Sequence, residues 1–167
     1  MKKALTIIIL TLFFLVTAGT VFAEEIAKEG STSGKTYLTG TFKVLPLGKE
    51  FLQMNYEGTG IGVDDSGKGI LHNSAIHILG ALRAVKGTIE ETGSMVITPP
   101  DGGKVYANYK ATGTLGKDAK GTWTYVGGTE KFVGIEGGGE FTRYPLQNAT
   151  EGMWTALSLT KGNYKLP

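Results

Sequence analysis

Glycine recurs inside segments that otherwise alternate like β-strands, and this combination narrows the fold more than any other feature of the chain. Gly40, Gly58, Gly60, Gly62, Gly80, Gly93, Gly113, Gly137 and Gly139 all fall within such runs. Each costs about 0.5–1 kcal/mol relative to Ala in a regular element. So many in strand interiors call for a geometric reason, either sharp coiling of the strands or close approach of another group.

The alternating segments are KTYLTGTFKVLPL (35–47), EFLQMNYEGTGIGV (50–63), ILHNSAIHILGALRAVKG (70–87), GTIEETGSMVIT (87–98), GKVYANYKATGTLG (103–116), GTWTYVGG (121–128), KFVGIEGGGEFTRY (131–144) and GMWTALSLTKG (152–162). Turn chemistry separates them: DDSGKG, PPDGG and GKDAKG each combine residues that fix or reverse the chain. Segment 70–87 carries partly helical spacing at Ile76, Leu79 and Leu82, but a long strand is expected there. About eight short strands with no long amphipathic helix predict an all-β domain, either a sandwich or a closed barrel. The strand glycines favour an antiparallel barrel; a twisted sandwich is the alternative.

The first 23 residues, MKKALTIIILTLFFLVTAGTVFA, have a basic start, an apolar run over Ala4–Val16 and small residues before Ala23, the pattern of a cleavable signal peptide. The apolar run is shorter than the roughly 20 residues that a bilayer-spanning helix needs. The chain is therefore expected to be exported to the periplasm or outside a bacterial cell, with no membrane anchor after cleavage. Residues 24–34, EEIAKEGSTSG, are polar and small and predict a flexible leader, with one domain over 35–167. Of 17 basic residues, Lys2 and Lys3 lie in the signal, which leaves 15 against 15 acidic ones. That balance gives no electrostatic reason to bind nucleic acid. There is no Cys, so packing and backbone pairing must hold the fold.

Stretch 124–141, TYVGGTEKFVGIEGGGEF, predicts a reversal at Gly127-Gly128 and one helical turn entered at Thr129, with Phe132 tucked against the core. It lacks the Lys-Ser/Thr of a phosphate loop and no helix pattern follows it. Residues 127–141, GGTEKFVGIEGGGEF, resemble the Gly-Gly-Thr-Gly-Lys-Phe, x-Gly-Ile, Gly-x-Gly signature of small secreted bacterial proteins similar to the allene oxide cyclase and dirigent barrels. The close match covers about residues 121–144, and Glu130 stands where the signature has Gly. The resemblance implies an eight-stranded antiparallel barrel of calycin type with a central cavity. It carries over no active-site residue.

His72 and His77, the only histidines, are five residues apart and point to opposite faces of a strand, so no metal site is expected, and no cofactor motif is present. Asp64 and Asp65 read as part of a solvated turn. Carboxylates within strands matter more, because burial raises their pKa and can make a general acid. Glu57, Glu90, Glu136 and Glu140 are the candidates, Glu136 foremost because its glycine neighbours leave room for a ligand, although the outside wall is the favoured placement for it. Arg83 and Arg143, the only arginines, are candidate partners for such a carboxylate. The aromatics Tyr37, Phe42, Tyr56, Tyr106, Tyr109, Trp123, Tyr125, Phe141 and Trp154 either line a pocket or fill a core. The expected ligand-contacting set is Tyr109, Trp123, Tyr125, Glu136, Arg143 and Trp154. Three functions fit: an exported barrel that binds a small apolar or aromatic ligand, an isomerase or cyclase, and a structural or interaction module.

Overall fold

The structure, a computed structural model, describes residues 26–148 and 150–167. The expected signal peptide and the first two residues of the leader lie outside the described residues. Eight antiparallel strands follow one another round a closed barrel: β1 (Glu29–Pro46), β2 (Phe51–Asp64), β3 (Ser74–Val85), β4 (Thr88–Thr98), β5 (Val105–Thr114), β6 (Ala119–Gly128), β7 (Glu136–Pro145) and β8 (Met153–Lys165). Each strand pairs with its neighbours in sequence, and β8 closes on β1 from Glu29↔Lys165 to Thr41↔Met153. No edge is left to template aggregation. The sandwich alternative is thereby excluded, and segment 70–87 is strand from Ser74 onward, its first residues forming a turn.

β1 begins at Glu29, within the expected leader. Residues 29–34 are a paired strand whose Gly34 meets both Thr160 of β8 and Asp64 of β2. This stretch has almost no apolar side chain, so backbone pairing with β8, joined by β2 at Gly34, takes the place of burial as the reason for its order.

Alternation decides what the barrel contains. In β4, Ile89, Glu91, Gly93, Met95 and Ile97 point inward while Thr88, Glu90, Thr92, Ser94 and Val96 point out. Inward glycines lie beneath aromatic groups. Gly80 and Gly93 are paired across β3 and β4, and a Cβ on either would strike the hydroxyl of Tyr109, with Tyr56 also in the way at Gly80. Gly139 and Gly162 are likewise paired, across β7 and β8, and hold the ring of Trp123. At these four positions glycine provides space for an inward ring or hydroxyl. One irregularity bends the wall: the β5–β6 register passes from Tyr106↔Gly127 to Ala107↔Tyr125, leaving Val126 as a bulge.

The two ends differ. At one, the β2–β3, β4–β5 and β6–β7 connections fold over the opening. Phe132 and Ile70 are fully buried there, with Leu71, Val105, Ile135 and Leu166 around them. Phe132 sits in the single 3-10 turn Glu130–Phe132 expected from the sequence. The hydroxyl of Thr129 does not cap that turn; it accepts a bond from the Lys104 backbone N–H at 2.9 Å, which ties the β4–β5 connection to the plug. Glu130, in place of the signature's Gly, takes φ +54°. Asp64 is buried rather than solvated and organises the β2–β3 turn, accepting from the backbone N–H groups of Ser33 and Ser66. At the other end the chain crosses by the short reversals after β1, β3 and β5 and by the β7–β8 connection, and among the described residues no fully buried large side chain lies there.

Candidate functional site

Midway along the barrel interior a buried carboxylate and a guanidinium meet. Glu91, from the inward face of β4, is 2% exposed. Arg143, on β7, forms a two-pronged pair with it: Nη1 donates to Oε1 at 2.8 Å and Nη2 donates to Oε2. Tyr56 of β2 donates its phenolic proton to the same Oε1. A phenol has only one proton, so the 2.5 Å contact between the Tyr56 and Tyr109 hydroxyls is a bond that Tyr109 donates. Four strands thus supply one continuous network, and Gly80 and Gly93 leave the space in which its two hydroxyls meet.

The electrostatics follow from burial. Removal from water pushes Tyr56 well above the ordinary phenol range, and the charge of Glu91 adds to the effect. Burial likewise pushes Tyr109 up to about 12, partly offset by its bond to Tyr56. For Arg143 burial acts downward, but the bonds to Glu91 and its charge outweigh it and hold the guanidinium above its usual value. The network is therefore a neutral phenol pair beside a compensated ion pair. An unpaired charge at this depth would cost several kcal/mol.

The network divides the interior. Toward the plugged end lies a cavity of about 60 Å³, lined by Leu38, Ile76, Ile97, Trp123 and Tyr125, with Tyr109 and Arg143 as its boundary. Toward the other end lies a mouth of about 200 Å³. Met54, Leu82, Ile89, Trp154 and Ala156 form its apolar walls, Tyr56, Glu91 and Arg143 its polar floor, and Lys117 and Thr155 also border it. Trp154 is fixed there by three contacts: its Nε1–H donates to the Thr41 carbonyl at 3.2 Å, its ring meets Tyr56 edge-on at 5.6 Å, and its benzo edge rests on Gly58. The larger space is still modest beside common small-molecule sites of about 300–1,000 Å³.

Of the six residues expected to contact ligand, Tyr109, Trp123, Tyr125 and Arg143 line the inner cavity, while Arg143 and Trp154 line the mouth. Burial pushes the Tyr125 phenol up to about 12. Glu136 does not join them. It is exposed on the outer wall beside its strand partner Lys165, because β7 turns Gly139, Phe141 and Arg143 inward. Glu57, Glu90 and Glu140 are also exposed, and Glu57 bonds His77 at 2.7 Å on the outside. Arg83 faces out over the Phe51 ring, and Tyr37 is an exposed outer-wall residue. Among the described residues no cluster of three or more acidic or histidine side chains is placed to hold a metal.

The sequence reading passed over Glu91, one residue from the candidate Glu90. The signal was present: in TIEETGSMVIT only Glu91 shares its alternation with Ile89, Met95 and Ile97.

No family model and no curated protein matches the chain. Among solved structures, a pterocarpan synthase dirigent protein superposes with a TM-score of 0.51 at 13% identity, over 84% of this chain and 94% of that one. The likeness concerns the fold: this chain is an eight-stranded barrel of the dirigent-like kind.

Proposed function

We propose that this is an exported barrel that holds a small apolar or aromatic molecule in its mouth cavity. The observation that carries the reading is an unplugged 200 Å³ space with apolar walls and a preformed polar floor, in a barrel whose other end is filled. Most of the free energy of binding would come from apolar contact with Met54, Leu82, Ile89 and Trp154, and the floor would fix orientation. The plug at the far end, with its fully buried Phe132 and Ile70, leaves the mouth as the route of entry.

The chain's two tryptophans test this, because one stands in the mouth and the other in the inner cavity. A fluorescence titration of the purified protein against a panel of small aromatics and lipids should show saturable quenching. That quenching should persist in Trp123→Phe and vanish in Trp154→Phe. A flat response from folded protein contradicts the reading.

The interior network also supports an isomerase or cyclase, since a carboxylate, two phenols and a guanidinium are the groups such chemistry uses. Binding is the better-supported role. Glu91 already accepts three bonds from Arg143 and Tyr56, and both phenols are raised away from the range in which they would give up a proton near neutral pH. Time-resolved NMR of any ligand found by titration would expose turnover if the network were catalytic.

A further inference from the structure

We infer that the mouth cavity selects uncharged ligands that present one hydrogen-bond acceptor, such as a ketone, ester or ether oxygen, on an apolar or aromatic body, and that Arg143 receives this acceptor. The inference rests on the reading of the mouth as a binding site and narrows it to a chemical class.

The argument is an inventory of donors, acceptors and charge. Arg143 carries five N–H bonds and uses two of them on Glu91. Among the described residues the others have no protein acceptor, although the side chain is only 15% exposed and borders both cavities. Both lone pairs of Glu91 Oε1 are taken, by Tyr56 and Arg143, and one of Oε2 is taken by Arg143. The Tyr56 proton goes to Glu91 and the Tyr109 proton to Tyr56. Lone pairs remain on Glu91 Oε2 and on the two phenol oxygens, but every unused proton of the floor belongs to the Arg143 guanidinium, and a buried N–H without an acceptor is the costlier deficit.

Charge sharpens the selection. Glu91 compensates Arg143, so the floor has no net charge. Lys117 also borders the mouth, but it is exposed in the β5–β6 turn, where solvent weakens its pull. A ligand carboxylate would either add an uncompensated negative charge beside Glu91 or displace Glu91 and leave it buried without a partner. An ammonium would meet the unused N–H groups of a like charge. A pure hydrocarbon would cover those N–H groups and give them no acceptor, a loss worth about ten-fold or more in affinity. A neutral carbonyl or ether oxygen avoids all three penalties.

Four single-ring compounds of similar size separate these cases: acetophenone, ethylbenzene, benzoate and benzylamine, each titrated into the purified protein and followed by ligand-observed NMR. Acetophenone is expected to bind at least about ten-fold more tightly than ethylbenzene, with benzoate and benzylamine weaker than both. In the double substitution Glu91→Met with Arg143→Met, acetophenone and ethylbenzene should bind equally. If ethylbenzene matches acetophenone in the unaltered protein, or benzoate binds best, the inference is overturned while the mouth remains a binding site. If none of the four binds, the binding reading falls and the inference falls with it. The unaltered protein alone decides the matter should the double substitution fail to fold.

Discussion

The two ends of this barrel are built from the same meander and reach opposite results. At the plugged end, connections of several residues fold Ile70, Leu71, Phe132 and Ile135 over the opening, and the filling is apolar. At the mouth, reversals such as Lys86-Gly87 are too short to fold inward, and the strands end round a space with a charged floor. Length alone does not decide which end closes, since the β7–β8 connection at the mouth spans residues 146–152, as many as the β6–β7 connection at the plug; the apolar side chains that the plug's connections carry inward do, and the side chains near each end then serve different purposes. Packing at the plug stabilises the fold. The Glu91–Arg143 pair contributes little net stability, since burying two charges largely cancels their attraction. Under the proposed binding role, the pair offers hydrogen bonds to a ligand in the mouth.

The largest expected effects test that contrast directly. Phe132→Ala should cost about 3–5 kcal/mol through the cavity it opens, and Glu91→Ala a similar amount by leaving Arg143 buried without its partner. Urea denaturation would measure both. The comparison sharpens on rescue: Glu91→Met combined with Arg143→Met should recover most of the loss or exceed the parent in stability. No apolar partner substitution should do the same for Phe132→Ala. If the double substitution stays as unstable as Glu91→Ala, the pair is a structural element after all.

A smaller effect is expected from Gly93→Ala. Its Cβ would strike the Tyr109 hydroxyl, so the network must shift at a cost of about 1–3 kcal/mol. The substitution should also weaken ligand binding, whereas Gly116→Ala, in an open turn at φ +74°, should affect stability through backbone strain alone. Alkaline titration should show a loss of comparable size by about pH 11. Tyr109 and Tyr125 ionise near 10 when unfolded and are pushed up to about 12 in the barrel. Between these values the unfolded chain binds fewer protons than the folded one, so stability is full below pH of about 10 and falls as pH rises, by up to about 1.4 kcal/mol per unit for each tyrosine. Thermal melts across that window check the sign. The smallest change is Glu130→Gly, which should raise stability by about 1 kcal/mol by removing a non-glycine residue from φ +54°.

Alternation and turn chemistry made the strands readable in the sequence, and the number of strand glycines favoured closure over a sandwich. The purpose of those glycines was less accessible. Gly80 and Gly93 matter because Tyr56 and Tyr109, from two other strands, bring their hydroxyls together above them, and only the register across four strands reveals it. Tyr56, Tyr109 and Arg143 could be picked by residue type. Glu91 required the phase of β4, where a one-residue displacement exchanges the inside for the outside, and Glu136 drew attention for its glycine neighbours although its strand turns it outward. Residues 29–34 were misread as leader because their order comes from backbone bonds to β8 and β2, which side-chain hydrophobicity does not report.

The central claim is that the mouth, with Arg143 at its floor, is the end that takes ligand. A titration of ¹⁵N-labelled protein with acetophenone, read by two-dimensional NMR, tests it most directly. The account predicts shifts of the Arg143 Nε–H and Trp154 Nε1–H signals, with the amides of residues 130–135 unmoved. Shifts confined to residues 66–73 and 130–135 at the plugged end, with Arg143 and Trp154 unchanged, would contradict it.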